Sequence, residues 1–196
     1  MNVISNVCSG AYLYKKLKLQ FNNPFMWSVL HYKDLKELMT NFDKIDFMNV
    51  ATIPGDRVKG TCSINVDNSK LLIEYVHYYQ NSNFKIPTKI GANVHYYKIW
   101  EYTFIKYMER VWRMLSLKEP PVFLIMDRKD DLCYENTKDL IDNTKYKTII
   151  FTNCEYSYKN ENVHLIKVDK TDNEIYYMDA EVFIEQYLDQ ICTLLK

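Results

Sequence analysis

The chain has 196 residues, 47% hydrophobic and 26% charged, which suits one ordinary domain with a real core and is short for two. Its 25 basic and 25 acidic residues cancel, so it carries no electrostatic footprint for nucleic acid or an anionic membrane. No apolar run approaches the roughly 20 residues of a bilayer span, and no basic n-region with a long apolar stretch opens the sequence, so a cytoplasmic protein is expected.

The elements alternate as in an α/β protein. A short strand, Asn2 to Ser5, runs into a helix from about Gly10 to Leu19, and Asn22-Asn23-Pro24-Phe25 makes a turn. Phe25 to Leu30 is a strand candidate. The segment from His31 to Phe42 repeats Leu35, Leu38, Met39 and Phe42 at helical spacing. Residues 45 to 60 read as loop, broken at Pro54-Gly55-Asp56. Thr61 to Val66 and Leu71 to Tyr79 flank Asp67-Asn68-Ser69 as a β-hairpin, and residues 85 to 94 look irregular. The longest helix is expected from Tyr96 to Leu117, with Trp100, Phe104, Met108, Val111 and Leu115 as its apolar stripe and Glu109 paired with Arg113 outside. Val122 to Met126 and Lys147 to Thr152 are unbroken apolar strands, the kind buried in a parallel sheet. A helix near Tyr134 to Asp142 lies between them. A strand at Val163 to Val168 and an amphipathic helix capped by Asp179 close the chain. The expected fold is a single three-layer α/β domain over residues 1–196, with a mostly parallel sheet and a β-hairpin insertion.

Cys8, Cys62, Cys133, Cys154 and Cys192 are odd in number, widely spaced and without a CxxC pair. They argue against a zinc site or a disulfide framework and fit a reducing compartment. No metal and no cofactor is expected. Asp130-Asp131 only weakly matches a metal and sugar-nucleotide motif, and the phosphate-loop, dinucleotide, HExxH and GxSxG motifs are absent.

Ligands of open α/β sheets bind beyond the carboxyl ends of the strands, at a topological switch point. Asn6, Cys8, Ser9 and Gly10 follow the first strand, Asp127 and Arg128 follow Val122 to Met126, and Asn153 and Cys154 follow Lys147 to Thr152. Cys8 stands where a helix N-terminus lowers a thiol pKa, and the N–H groups near Ser9 and Gly10 are placed to hold an oxyanion. A thiol nucleophile needs a base. His77 and His164 fall in strand patterns and His31 begins a helix, whereas His95, just before the long helix, is free to reach a cleft. Each residue also has a structural reading: Cys8 as a small buried hydrophobe, His95 as a helix-start hydrogen bonder, and Asp127 and Arg128 as a cap and a surface ion pair. Tyr75, Tyr78 and Tyr79 read as sheet-face packing.

The stretch from Ile4 to Trp27, with Leu35 to Phe47 after it, resembles the start of an exopolysaccharide-biosynthesis family of unknown function, which opens with a strand, an Asn-x-Cys-like turn and a small-residue helix. The same stretch is similar to a family described as papain-like cysteine peptidases, in which a Gly-Ser-x-Cys turn precedes the helix and a Pro-Phe-Asp-Trp segment follows. That family carries a His shortly before a basic helix. Here His95 precedes Ile105 to Leu115, with Lys106, Tyr107, Arg110 and Arg113 echoing the helix. The chain departs from the pattern at Asn6-Val7-Cys8, at Met26 in place of Asp, and at Tyr96, where an acid is expected. The resemblance implies Cys8 as nucleophile, His95 as base, and a role near surface glycans.

Three functions follow as expectations. One is a Cys–His hydrolase or acyltransferase of surface-polysaccharide biosynthesis, acting on a carbohydrate or acyl-carrying small molecule. Another is a sugar-nucleotide-dependent transferase using Asn6, Asp127, Arg128 and Asn153. The third is a non-catalytic binding or scaffold protein of a polysaccharide assembly system. None calls for nucleic acid or a membrane span, and no feature selects an oligomeric state.

Overall fold

Two sheets of opposite construction carry the chain. The computed structural model describes residues 1–53, 60–66, 69–75, 92–127, 134–168 and 180–196. In the first sheet β1 (Asn2–Ser5), β6 (Pro121–Met126), β7 (Thr148–Thr152) and β8 (Val163–Lys167) lie side by side in that order, all parallel. In the second, β2 (Ser28–Val29), β5 (Ser69–Tyr75), β4 (Gly60–Val66) and β3 (Val50–Ile53) form an antiparallel sheet. The helices described are α1 (Ser9–Lys16), α2 (Tyr32–Asn41), α3 (Ala92–Leu117), α4 (Tyr134–Asn143) and α5 (Ala180–Leu195), with a 3-10 turn at Phe42–Lys44.

The apolar strand runs β6 and β7 are buried on both faces because helices cover both. Val3, Leu124, Met126, Ile149 and Phe151 pack with Leu13 and Tyr14 of α1 and with Phe183, Ile184 and Ile191 of α5. Ile4, Phe123, Ile125 and Ile150 look the other way. They join Leu35, Leu38, Tyr107, Val111, Leu140 and Ile141 in a core that continues to Cys62, Ile64, Leu71 and Ile73 on the inner face of the antiparallel sheet. This is the expected α/β architecture with a mostly parallel sheet. The hairpin insertion is present as β4 and β5, but β2 and β3 widen it to four strands.

Local differences have local causes. Within Phe25 to Leu30 only Ser28–Val29 is strand, because Trp27 takes a φ of 62° and ends any extended run. The loop expected over 45–60 contains β3, a four-residue strand too short to show its period and defined by pairing with β4. Helix α3 starts at Ala92, since Ala92 to His95 contain nothing that breaks a helix. Its buried side is Tyr107, Arg110, Val111 and Met114, while Leu115 of the expected stripe is exposed. The strands of the parallel sheet advance in one direction, 1-6-7-8, so the expected topological switch point is absent among the described strands. Pro54-Gly55-Asp56, Asp67-Asn68, His77, Tyr78, Tyr79, residues 85–91, Asp130, Asp131, Cys133, Asp179 and the Trp100 side chain lie outside the described residues.

The outer flank of β1 is closed by side chains. The Val3 N–H donates to the Tyr14 hydroxyl at 3.1 Å, and Asn23 Nδ2 donates to the Val3 carbonyl at 2.8 Å. The Tyr14 hydroxyl and Asn22 Nδ2 donate to the Met1 carbonyl at 2.7 and 2.5 Å. Burial pushes the Tyr14 pKa up to about 12.

Candidate functional site

The turn after β1 is built by a close approach of helix to strand. A Cβ on Gly10 would stand 2.6 Å from Ser5 Oγ and 3.3 Å from Ser5 Cβ, so only glycine lets α1 begin this near β1. Ser5 Oγ accepts the Gly10 N–H at 2.9 Å and donates to the Val7 carbonyl. Cys8 is the N-cap of α1 and its thiol makes no capping hydrogen bond. The Cys8 carbonyl accepts the Ala11 and Tyr12 N–H groups at 3.1 and 3.2 Å. The side chain is 8% exposed, in the cluster that includes Trp27 and Met126. Ser9 Oγ is fully buried and has no hydrogen-bond partner among the described residues. Of the oxyanion donors expected from the sequence, the Gly10 N–H is therefore already engaged by Ser5.

Asn6 ties this turn to the next strand. Its Nδ2 donates to the Met126 carbonyl at 3.0 Å, its Oδ1 accepts the Met126 N–H at 2.9 Å, and its own carbonyl accepts the Leu30 N–H at 3.0 Å. The side-chain amide thus continues the β1–β6 pairing one step past the strand end. Its donors and acceptors are spent on backbone.

Asp127 follows immediately and is 9% exposed. Oδ1 accepts Thr137 Oγ1 at 2.9 Å, while Oδ2 accepts Thr152 Oγ1 at 2.6 Å and the Tyr156 hydroxyl at 2.7 Å. Three hydroxyls from α4, β7 and the segment after β7 converge on one carboxylate. Burial first, then this carboxylate, holds the Tyr156 hydroxyl well above the usual tyrosine range. Thr152 Oγ1 also accepts the Cys154 N–H at 3.0 Å, and Asn153 Oδ1 accepts the Cys154 thiol at 3.5 Å. The sequence pointed to Asp127 and Asn153 but missed Thr137, Thr152, Tyr156 and Tyr134. The one available signal was spacing, since Thr152 ends a strand and Tyr156 stands four residues on.

Asn6, Cys8, Ser9 and Gly10 thus share one turn. Asp127 joins it through Met126, and Asn153 lies at the end of the following strand. The cysteine and the Asp127 cage sit at one sheet edge but on opposite faces, Cys8 with α1 and Tyr156 with the core beneath α3 and α4. His95 lies within the first turn of α3, not before it, and its side chain lies outside the described residues, as does Arg128. His31 is the N-cap of α2, with Nε2 3.8 Å from Glu74 Oε1, and His164 lies in β8. Burial pushes the Cys62 thiol up to about 12, which makes it an inert core group. Among the described residues no group of three or more His, Cys, Asp or Glu is arranged to hold a metal ion.

The two sequence segments that resemble the peptidase pattern meet in space. Arg110 Nη1 donates to the Met26 carbonyl at 3.0 Å and Arg113 Nη1 to the Phe21 carbonyl at 2.8 Å, with Arg110 5.4 Å above the Phe21 ring. Glu109 receives Lys106 at 2.9 Å and Arg113 at 3.7 Å. The helix thereby fixes the stretch that leads into Trp27, a member of the same apolar cluster as Cys8.

These features define an α/β protein with a strand-turn-helix thiol at the C-terminal edge of its parallel sheet. The chain belongs to the family described as Domain of unknown function (DUF1919), whose model matches residues 1–193. No curated protein matches it. No helix among the described residues is long and apolar enough to cross a membrane.

Proposed function

We propose that the chain is a cysteine-dependent hydrolase or acyltransferase acting on a carbohydrate or acyl-carrying small molecule in surface-polysaccharide biosynthesis. Cys8 is the nucleophile and His95 its base. The observation that carries this reading is the placement of Cys8 as the N-cap of α1, beyond the carboxyl end of β1, with a thiol not spent on capping. A helix N-terminus favours the thiolate. Attack by the thiolate on an ester or amide carbon displaces the leaving group, which takes its proton from the base. Water or an acceptor hydroxyl then releases the acyl group. The contact between Met26 and Arg110, and between Phe21 and Arg113, supports the reading, because it joins the segments in which the resemblance lies.

The sugar-nucleotide transferase alternative is weakened by the full engagement of Asn6 and Asp127 with protein partners. The near-complete burial of Cys8 favours the non-catalytic alternative. The deciding experiment is iodoacetamide alkylation of the folded protein across pH, followed by peptide mass spectrometry. Cys8 is expected to react with an apparent pKa below the ordinary value of about 8.5, and His95→Ala to return it toward that value. Modification of Cys8 only as fast as the protein unfolds would leave a binding protein in place of an enzyme.

A further inference from the structure

Tyr134 opens α4 and is 46% exposed, yet its ring is not loose. It stacks on Tyr156 with centroids 4.7 Å apart and planes 14° from parallel. Tyr156 is itself buried and anchored by its hydroxyl to Asp127. Thr137, one turn along α4, is held by the same carboxylate at 2.9 Å, so the start of the helix and the ring beneath Tyr134 are fixed to one point. A rigid aromatic ring with one face covered and nearly half of the residue exposed costs little entropy when a ligand settles on it. It stands at the carboxyl ends of β6 and β7, where sheets of this type take ligands.

We propose that the outward face of Tyr134 is a stacking platform for the apolar face of a pyranose ring. This rests on the carbohydrate reading above and names the part of the substrate that the β6–β7 edge would hold. The aromatic face is negative and attracts the weakly positive C–H groups on one side of a sugar ring. A nucleobase would stack equally well, but its phosphates would want a cation. Among the described residues of α4, the cation one turn along, Lys138, is already paired with Asp142. Cys8 lies at the same edge but on the opposite face of the sheet. A sugar-bearing substrate therefore has to cross the crest above β6 to touch both.

Saturation-transfer NMR on the full chain tests this, using methyl glucoside, methyl galactoside, methyl N-acetylglucosaminide and, as a separate arm, uridine. At least one pyranoside is expected to receive saturation, strongest on the C–H protons of one ring face. That signal should fall about fivefold in Tyr134→Leu, persist in Tyr134→Trp and be unchanged in Cys8→Ala. A thermal melt of each variant checks folding, and the wild-type titration decides the matter if a variant is unfolded. Silence of all three pyranosides, signal from uridine alone, or an undiminished signal in folded Tyr134→Leu overturns the platform. Sugar binding beside an inert Cys8 removes the catalytic reading alone, and a reactive Cys8 without sugar binding removes the platform alone.

Discussion

The turn after β1 and the end of β6 at Asp127 stand beside each other at one sheet edge, yet polar groups are used differently in them. After β6 a single carboxylate gathers three hydroxyls from three segments, and the neighbouring Asn6 spends its amide on Met126. After β1 the helix starts by close backbone approach, with a thiol that caps nothing and a serine hydroxyl that meets no described partner. Saturated groups hold loops in place. The Ser9 hydroxyl at the helix start, by contrast, leaves room for chemistry, because no bond to a described residue must break before a substrate binds.

The largest effect belongs to the Asp127 cage. Asp127→Ala leaves the Thr137, Thr152 and Tyr156 hydroxyls without their acceptor and is expected to cost about 3–5 kcal/mol in urea unfolding. A loss under about 1 kcal/mol would break the contrast, since the cage would then be decoration.

Next comes the packing of the other turn. Gly10→Ala drives a methyl into Ser5 and should cost about 2 kcal/mol. Ser5→Gly in the same chain makes room, so the double variant is expected to lose less than the sum of the singles. Simple additivity would mean that the approach is not the constraint.

A smaller effect appears at high pH. The Tyr156 hydroxyl titrates above its ordinary range when folded, so the folded chain keeps a proton that the unfolded chain releases from about pH 10 upward. The stability it contributes is complete below that pH and declines above it, by up to about 1.4 kcal/mol per pH unit. Tyr156→Phe should flatten the alkaline limb of a stability–pH curve by about one proton, and an unchanged slope would place the burial elsewhere.

The smallest effect is at the thiol. Cys8→Ala removes no cap bond and is expected to cost about 1 kcal/mol or less while abolishing any Cys8-dependent turnover. A much larger loss of stability would move Cys8 into the structural class with Cys62.

The parts of this arrangement that sequence carries are those written in short-range pattern. The runs Val122 to Met126 and Lys147 to Thr152 are apolar on both faces and became the central strands β6 and β7. The Cys8 turn was legible because a strand, a Ser-Gly pair and a helix follow within a few residues. The Glu109–Arg113 pair was legible as an i,i+4 spacing. The Asp127 cage was not, since Thr137, Thr152 and Tyr156 reach it from separate segments and only pairing across the sheet assembles them. The buried side of α3 was legible in part: Val111 is buried and Met108 packs on the core as expected, but Leu115 is exposed and Arg110 was missed. Arg110 turns inward to satisfy carbonyls of the stretch before β2, a need that hydrophobic periodicity does not register. Strand order, and with it the lack of a switch point among the described strands, has no short-range signature at all.

The flank of β1 closed by Tyr14, Asn22 and Asn23 bears on the order in which the chain gains its structure. The side chains that close that flank lie within residues 1–23, so they are made almost together with β1. The opposite flank of β1 waits for β6, more than a hundred residues later. A nascent β1 therefore offers one open side instead of two, which halves its opportunity to pair with the wrong strand during the delay.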